Sequence, residues 1–271
     1  MKLIPISYLV CALFSSGAYG ATLAVDLGTA GLFAVLAGST VTNTGPTTII
    51  GNVGVSPGTA ITGFPPASIG GGNTIYSAGA VALQAQSDLT TAYNSVAGAA
   101  CSNVLTGQDL GGQTLLPGTY CFTSSAQLTG TLTLDGLGDS ASVFLFQIGS
   151  SLTTASASAV SFINDAQGGN VFWQVGSSAT LGTTTAFAGN LLALTSITLD
   201  TGASLDCGRA LARNGAVTMD TNTIGICSSS TGGPGGGSDV PEPATFALLG
   251  AGLLLFGLRH ARRKPRHVQL P

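Results

Sequence analysis

The sequence predicts a mainly β chain of stacked coils with one long helix, and three observations carry that expectation. The first is repetition. Ser124-Ser125-Ala126-Gln127-Leu128-Thr129-Gly130-Thr131 returns as Ser177-Ser178-Ala179-Thr180-Leu181-Gly182-Thr183-Thr184, and Phe146-Gln147-Ile148-Gly149-Ser150-Ser151 returns as Trp173-Gln174-Val175-Gly176-Ser177-Ser178. Self-similarity at a period of roughly 20–30 residues marks units too small to bury their own apolar faces, so neighbours must stack. The second is composition: of 271 residues 7% are charged and 44% hydrophobic, with 40 glycines. A disordered chain has more charge and fewer apolar residues, and a helical bundle needs Glu, Lys and Arg on its outer faces. A chain rich in Thr, Ser, Gly and Val forms strands instead. The third is one change of texture. Ile75, Ala78, Val81, Ala82, Ala85, Leu89, Ala92, Tyr93 and Val96 fall at helical spacing between residues 73 and 96, and Gly98 supplies a stop.

In chain order, residues 1–20 read as a secretory signal peptide for signal peptidase. Lys2 precedes an apolar stretch over residues 4–14, and Ala18-Tyr19-Gly20 stands before Ala21. From Leu27 to Val55 short strands and turns are expected: Thr40-Val41-Thr42-Asn43-Thr44 alternates, Gly45-Pro46 breaks the pattern, and Ile49-Ile50-Gly51-Asn52-Val53-Gly54-Val55 resumes it. Residues 56–72 are rich in Pro and Gly and are expected to be loop. The helix carries small residues along one stripe, which suits close packing on a β face. After Cys101, Val143-Phe144-Leu145-Phe146 and Val171-Phe172-Trp173 are continuous apolar runs of the kind that form buried parallel strands. Leu152-Thr153-Thr154, Leu181-Gly182-Thr183, Leu199-Asp200-Thr201 and Met219-Asp220-Thr221 each place a threonine two residues after a large aliphatic, which reads as one position repeated from coil to coil.

Past the leader, Cys101, Cys121, Cys207 and Cys227 remain. An even count in an exported chain points to two disulfides, and four cysteines allow three pairings. The sequential pairing, 101–121 with 207–227, is preferred because each bond would pin one excursion near a coil edge. At the other end, a Gly/Ser/Pro linker over residues 231–239 leads to Pro241-Glu242-Pro243, an apolar run over 244–258, and Arg259, Arg262, Arg263, Lys264 and Arg266. As a helix that run spans ~22 Å, short of a ~30 Å hydrocarbon core, with the basic end on the cytoplasmic side. This tail resembles the PEP-CTERM sorting signal, with Pro241, Glu242 and Pro243 as its motif. The resemblance implies transient membrane insertion, removal of the helix by an exosortase-type protease, and a body delivered to the cell envelope or beyond. A plain C-terminal membrane anchor is the alternative.

The exported body carries a second resemblance. Leu27-Gly28-Thr29-Ala30-Gly31-Leu32-Phe33-Ala34-Val35-Leu36-Ala37-Gly38 is followed by Gly51-Asn52-Val53-Gly54-Val55-Ser56-Pro57-Gly58, then by Leu105-Thr106-Gly107-Gln108-Asp109-Leu110-Gly111-Gly112. Pro117-Gly118-Thr119-Tyr120-Cys121-Phe122 and Gly208-Arg209-Ala210-Leu211-Ala212 complete the series. Over residues 26–227 the chain resembles the β-helical ice-binding proteins. That resemblance implies a right-handed, discontinuous parallel β-helix of triangular section, one helix packed alongside, and adsorption to ice through a flat face rich in Thr, Ser and Ala. Family faces often show Thr, then Ala or Gly, any residue, then Thr or Asn. Thr154-Ala155-Ser156-Ala157 and Thr201-Gly202-Ala203-Ser204 match in part, and Thr183-Thr184-Thr185-Ala186 and Thr221-Asn222-Thr223-Ile224 more loosely. The resemblance thus assigns Thr154, Ser156, Thr183, Thr185, Thr201, Ser204, Thr221 and Thr223 to the ice-facing surface.

The composition also excludes functions. Between Ala21 and Ser238 the cations are Arg209 and Arg213, against nine aspartates and no glutamate, so no basic patch exists for nucleic acid. Both histidines, His260 and His267, lie in the tail, which removes a catalytic histidine from the body and leaves the cysteines without metal-ligand company. Asp200, Asp206, Arg209, Arg213 and Asp220 form the one charged cluster; they read as turn aspartates with a cap or ion pair, and no Gly-x-Ser-x-Gly nucleophile motif accompanies them. No enzyme activity and no cofactor or metal is expected. The expected partner is an ice surface or, in a rival reading, the exopolysaccharide of a biofilm matrix, where a hydroxyl-rich face would bind sugar as a structural or adhesive protein.

Overall fold

A computed structural model describes residues 25–227. The expected signal peptide, linker, PEP motif and apolar run 244–258 lie outside them. Among the described residues no helix is long and apolar enough to cross a membrane.

Each turn of the chain contributes three short strands, and strands of successive turns pair in parallel. One coil runs through Phe144–Ile148, Leu152–Thr154 and Ala159–Ile163, and the next begins at Val171–Val175 and continues at Ala179–Leu181. The result is a parallel β-helix with three faces, in which a 15-stranded sheet covers two faces and a 7-stranded sheet the third. Spatial order departs from chain order. The first coil, Phe33–Ala37, Thr40–Thr44 and Thr48–Ile50, stacks on the last one, pairing Val35 with Ala210, Thr42 with Thr218 and Thr48 with Thr223. The helix Ala80–Ala97 then carries the chain along the stack to the far end, where Asn103–Val104 pairs with Gly118–Phe122. At 18 residues it measures ~27 Å.

The face under the helix is buried on both sides, so its strands read as unbroken apolar runs; Phe33–Ala37 and Val171–Val175 are buried throughout. Inward, Tyr120, Phe146 and Trp173 stack at 5.4 and 3.8 Å between ring centroids, and Phe187 tilts against Trp173 at 4.9 Å. Outward, Leu145, Phe172, Leu192 and Leu211 meet the helix stripe Ala85, Leu89, Ala92, Tyr93 and Val96. Polar ties hold the helix in place. The Gln147 amide donates to the Val96 and Ala99 carbonyls at 2.7 Å each, satisfying groups that a helix C-terminus leaves unpaired, and Gln174 donates to the Tyr93 hydroxyl at 2.7 Å. One corner is turned inside the strand Ala186–Ala193 at Gly189, whose φ of +102° and 2.9 Å distance from a built Cβ to Trp173 Nε1 leave no room for a side chain. The disulfides are 101–121 and 207–227, the sequential pairing.

Two expectations are corrected. The helix begins at Ala80, not near residue 73, because Ile75–Ser77 is a strand paired with Asn52–Val55 and Ala78 turns the chain with φ +42°. Three residues of mixed periodicity suit either state, and a partner strand remote in sequence decides. Residues 56–72 are likewise not all loop. They hold the strands Ala60–Thr62 and Ser68–Gly70, each paired on one side to the coil before it.

Two carboxylates pin the chain at loop crossings. Asp88 on the helix accepts the Thr29 N–H at 2.8 Å, which, with the Gln84 amide, outweighs its burial and lowers its pKa. Asp109 is pushed up by burial but pulled further down by the Gly111 and Thr129 N–H groups at 2.6 and 2.9 Å. Both therefore titrate lower folded than unfolded. The stability they contribute is complete above the unfolded aspartate value of ~3.9 and drains away as pH falls through the lowered folded values. Asp109→Asn is expected to lower the melting temperature at pH 7 and to reduce the further loss on acidification to pH 3; thermal melts at the two pH values check it.

Candidate functional site

The 7-stranded face is built from Ala126–Leu128, Leu152–Thr154, Ala179–Leu181, Ile197–Leu199, Val217–Asp220, Thr40–Thr44 and Ala60–Thr62, in that order across the sheet. In each strand alternate residues point inward. Leu152, Ala179, Ile197, Val217 and Val41 form one buried file, because a period-2 strand over a core must bury every second side chain. Between those positions the outward residues are Gln127, Thr153, Thr180, Thr198, Thr218, Thr42 and Thr62, joined register to register. Six of the seven are threonine. Two residues earlier along the strands runs a parallel file of Ser125, Ser151, Ser178, Ser196, Ala216, Thr40 and Ala60. Ser125 and Ser151 hydroxyls are 2.9 Å apart, and Ser178 and Ser196 oxygens accept backbone N–H groups of the neighbouring coil. None of this face's pairings carries a register shift, whereas the larger sheet has two. None of the large apolar side chains exposed elsewhere lies on it.

The eight residues expected to face ice fall in three places. Thr154 and Thr185 are buried, with 3% and 0% exposure. Their hydroxyls meet at 2.8 Å; Thr154 Oγ1 accepts the Gly182 N–H, and Thr185 donates to the Ala155 carbonyl. They satisfy backbone groups inside a corner, as Asn222 does by donating to the Asp200 and Ala203 carbonyls. Ser156, Thr183, Thr201 and Thr221 are exposed at that same corner, and the Thr201 and Thr221 hydroxyls both bind the Asp220 carboxylate. Ser204 and Thr223 pair with one another on the third face, in a file with Ala186 and Thr48. No single surface gathers the eight. The file on the 7-stranded face escaped the sequence reading, although a signal for it exists: a small residue, an aliphatic or alanine, then threonine recurs in Ser151-Leu152-Thr153, Ser178-Ala179-Thr180, Ser196-Ile197-Thr198, Ala216-Val217-Thr218, Thr40-Val41-Thr42 and Ala60-Ile61-Thr62.

Both arginines of the charged cluster contact neutral partners. Arg209 is drawn into the helix-covered face, where it donates to the Gly31 carbonyl at 2.9 Å and to Asn190 Oδ1 at 2.6 Å, and burial lowers its pKa. Arg213 lies 4.7 Å over the Tyr93 ring. Among the described residues no group of His, Cys, Asp and Glu is placed to hold a metal ion.

A family model described as Ice-binding-like matches residues 35–225, most of the chain. The chain belongs to the Ice-binding-like family. Its relatives include an ice-binding protein of Nostoc sp. (strain HG1), 56% identical over 93% of this chain and 92% of the relative, and one of Colwellia sp, 37% identical over 74% and 83%. Among solved structures, an ice binding protein from an Antarctic biological consortium matches with a TM-score of 0.72 and 46% identity, over 83% of this chain and 96% of that one. The ice-binding protein of the Antarctic ascomycete Antarctomyces psychrotrophicus matches with a TM-score of 0.72 and 41% identity, over 76% and 99%. A second model, the PEP-CTERM protein-sorting motif, matches residues 239–264. The Ice-binding-like body is thus joined to a sorting signal of the export machinery.

Proposed function

We propose that this member of the Ice-binding-like family adsorbs to ice through its 7-stranded face, with Thr153, Thr180, Thr198, Thr218, Thr42 and Thr62 as the central contacts and the adjoining serine file as their flank. The in-register threonine file is the observation that carries this reading. Strands ~4.8 Å apart, and outward residues ~6.7 Å apart along each strand, make a two-dimensional grid of small side chains. Each threonine offers a methyl that orders water without binding it and a hydroxyl that anchors it. The β-branch stiffens χ1, so little side-chain freedom is lost on adsorption. A charged group would hold its own hydration shell and break the match; the nearest on this face, Asp200 and Asp220, stand at the corner edge, where Asp220 is occupied by two threonine hydroxyls.

The relatives' names support ice as the ligand, and nothing on the face favours sugar instead. The body acts by adsorption and not as an enzyme. Residues 1–20 act as the signal peptide, and the PEP-CTERM tail directs the protein to the envelope, where an exosortase-type protease recognises Pro241-Glu242-Pro243. The purified fragment 21–238 is expected to shape ice crystals and to slow recrystallisation. A folded fragment that leaves ice growth unchanged at high micromolar concentration sinks the ice reading, and binding to exopolysaccharide under the same conditions would favour the matrix role.

A further inference from the structure

The three faces of a coil meet at three corners, and the last described residue lies at one of them. Thr223–Gly225 runs on the third face beside Ser204–Asp206, and the chain then reaches Cys227, bonded to Cys207 where the strand Ser204–Ala212 turns from the third face onto the helix-covered face. Cys207 has φ +50° at that turn. This corner does not border the 7-stranded face. The turn Gly168–Asn170, one coil beyond the paired strand Ala186–Ala193, reaches this corner: a Cβ built on Gly168 would stand 2.9 Å from Cys207 Cβ, and one on Gly169 would stand at an ordinary contact distance of 3.8 Å from Cys227 Sγ.

We infer that the Cys207–Cys227 disulfide is the mechanical anchor through which the ice-adsorbed body is held by its C-terminal tail. The inference rests on the ice-binding and export readings above. Two features argue for it. The first is position: the chain passes into its tail from a corner that does not border the threonine face. The second is the path of force. Without the bond, tension on Cys227 falls on Thr223–Gly225, a strand of three residues paired to Ser204–Asp206 on one side and Thr48–Ile50 on the other. Peeling it would strip the last coil. With the bond, tension passes into Ser204–Ala212, nine residues long, paired over most of its length with Ala186–Ala193 and also with Phe33–Ala37. The load then spreads across coils on both sides instead of opening one short ladder. An exported protein is oxidised where such a bond persists.

The test couples fragment 21–239 to beads through either terminus and measures how many beads stay on an ice surface under flow. Wild-type beads are expected to hold from both ends. Beads carrying the Cys207→Ser/Cys227→Ser variant are expected to hold when coupled at the N-terminus and to shed most of their number when coupled at the C-terminus, at a flow the wild type withstands. Retention from both ends overturns the anchor role. Loss from both ends overturns it too, since the bond would then serve folding alone. Wild-type beads that fail to hold from either end contradict the ice-binding reading itself, a separate outcome.

Discussion

Thr198→Tyr is expected to remove most of the ice activity of this protein while leaving its fold unchanged. Thr198 sits in the threonine file between Thr180 and Thr218, in the middle of the 7-stranded sheet. A phenol there stands well above the neighbouring threonines and holds the grid off a planar surface, so contact is lost along several coils and not at one residue. A roughly tenfold fall in activity at equal concentration corresponds to ~1.4 kcal/mol of lost adsorption, a modest demand for such a disruption. Because the side chain points to solvent, the change in folding stability is expected to stay within about 0.5 kcal/mol. Thermal hysteresis measured beside a thermal melt checks both halves. Thr223→Tyr, on the third face, is the comparison: if it abolishes activity and Thr198→Tyr does not, the face is wrongly assigned.

The second large effect is on stability. Trp173 is fully buried, stacks on Phe146 with an interplanar angle of 10°, and donates its indole N–H to the Ala188 carbonyl at 3.0 Å. Trp173→Ala is expected to cost about 3–5 kcal/mol, from lost burial, the cavity left between coils, and an unpaired carbonyl. For a body of this size that lowers the melting temperature by roughly 10 °C or more. Trp173→Phe should cost less, because it keeps the ring stack and forfeits only the hydrogen bond and part of the volume. A denaturant midpoint that moves by less than 1 kcal/mol equivalent in Trp173→Ala would contradict the aromatic stack as a main support of the interior.

Much of this architecture was legible in the chain. Repeated phrases required stacking, the charge-poor composition required strands, and the small-residue stripe from Ala82 to Val96 required a helix against a β face; each depends on periodicity, which neighbouring residues carry by themselves. The threonine file was harder to read. Leu152, Leu181, Leu199 and Met219 look like one repeated anchor, yet Leu181, Leu199 and Met219 line up with Thr154, while Leu152 lines up with Ala179, Ile197 and Val217. Thr154 holds a core position that other coils give to an aliphatic, and its hydroxyl is accommodated by Thr185 and the Gly182 N–H. An alignment of coils on the aliphatic is therefore displaced by two residues in one coil and marks the corner that follows the strands instead of the strand centres.

What the sequence by itself determined was the class of the fold, the lone helix and the supply of small hydroxyl side chains, since these follow from composition and local period. What only the tertiary structure decided was which hydroxyls stand in line. Register between coils depends on contacts remote in sequence: the pairing of Thr42 with Thr218 joins the two ends of the chain, and no local pattern contains it. Stacking sorts residues of one type into three fates, an exposed file, a corner and a buried ladder. Only the first makes a regular exposed surface.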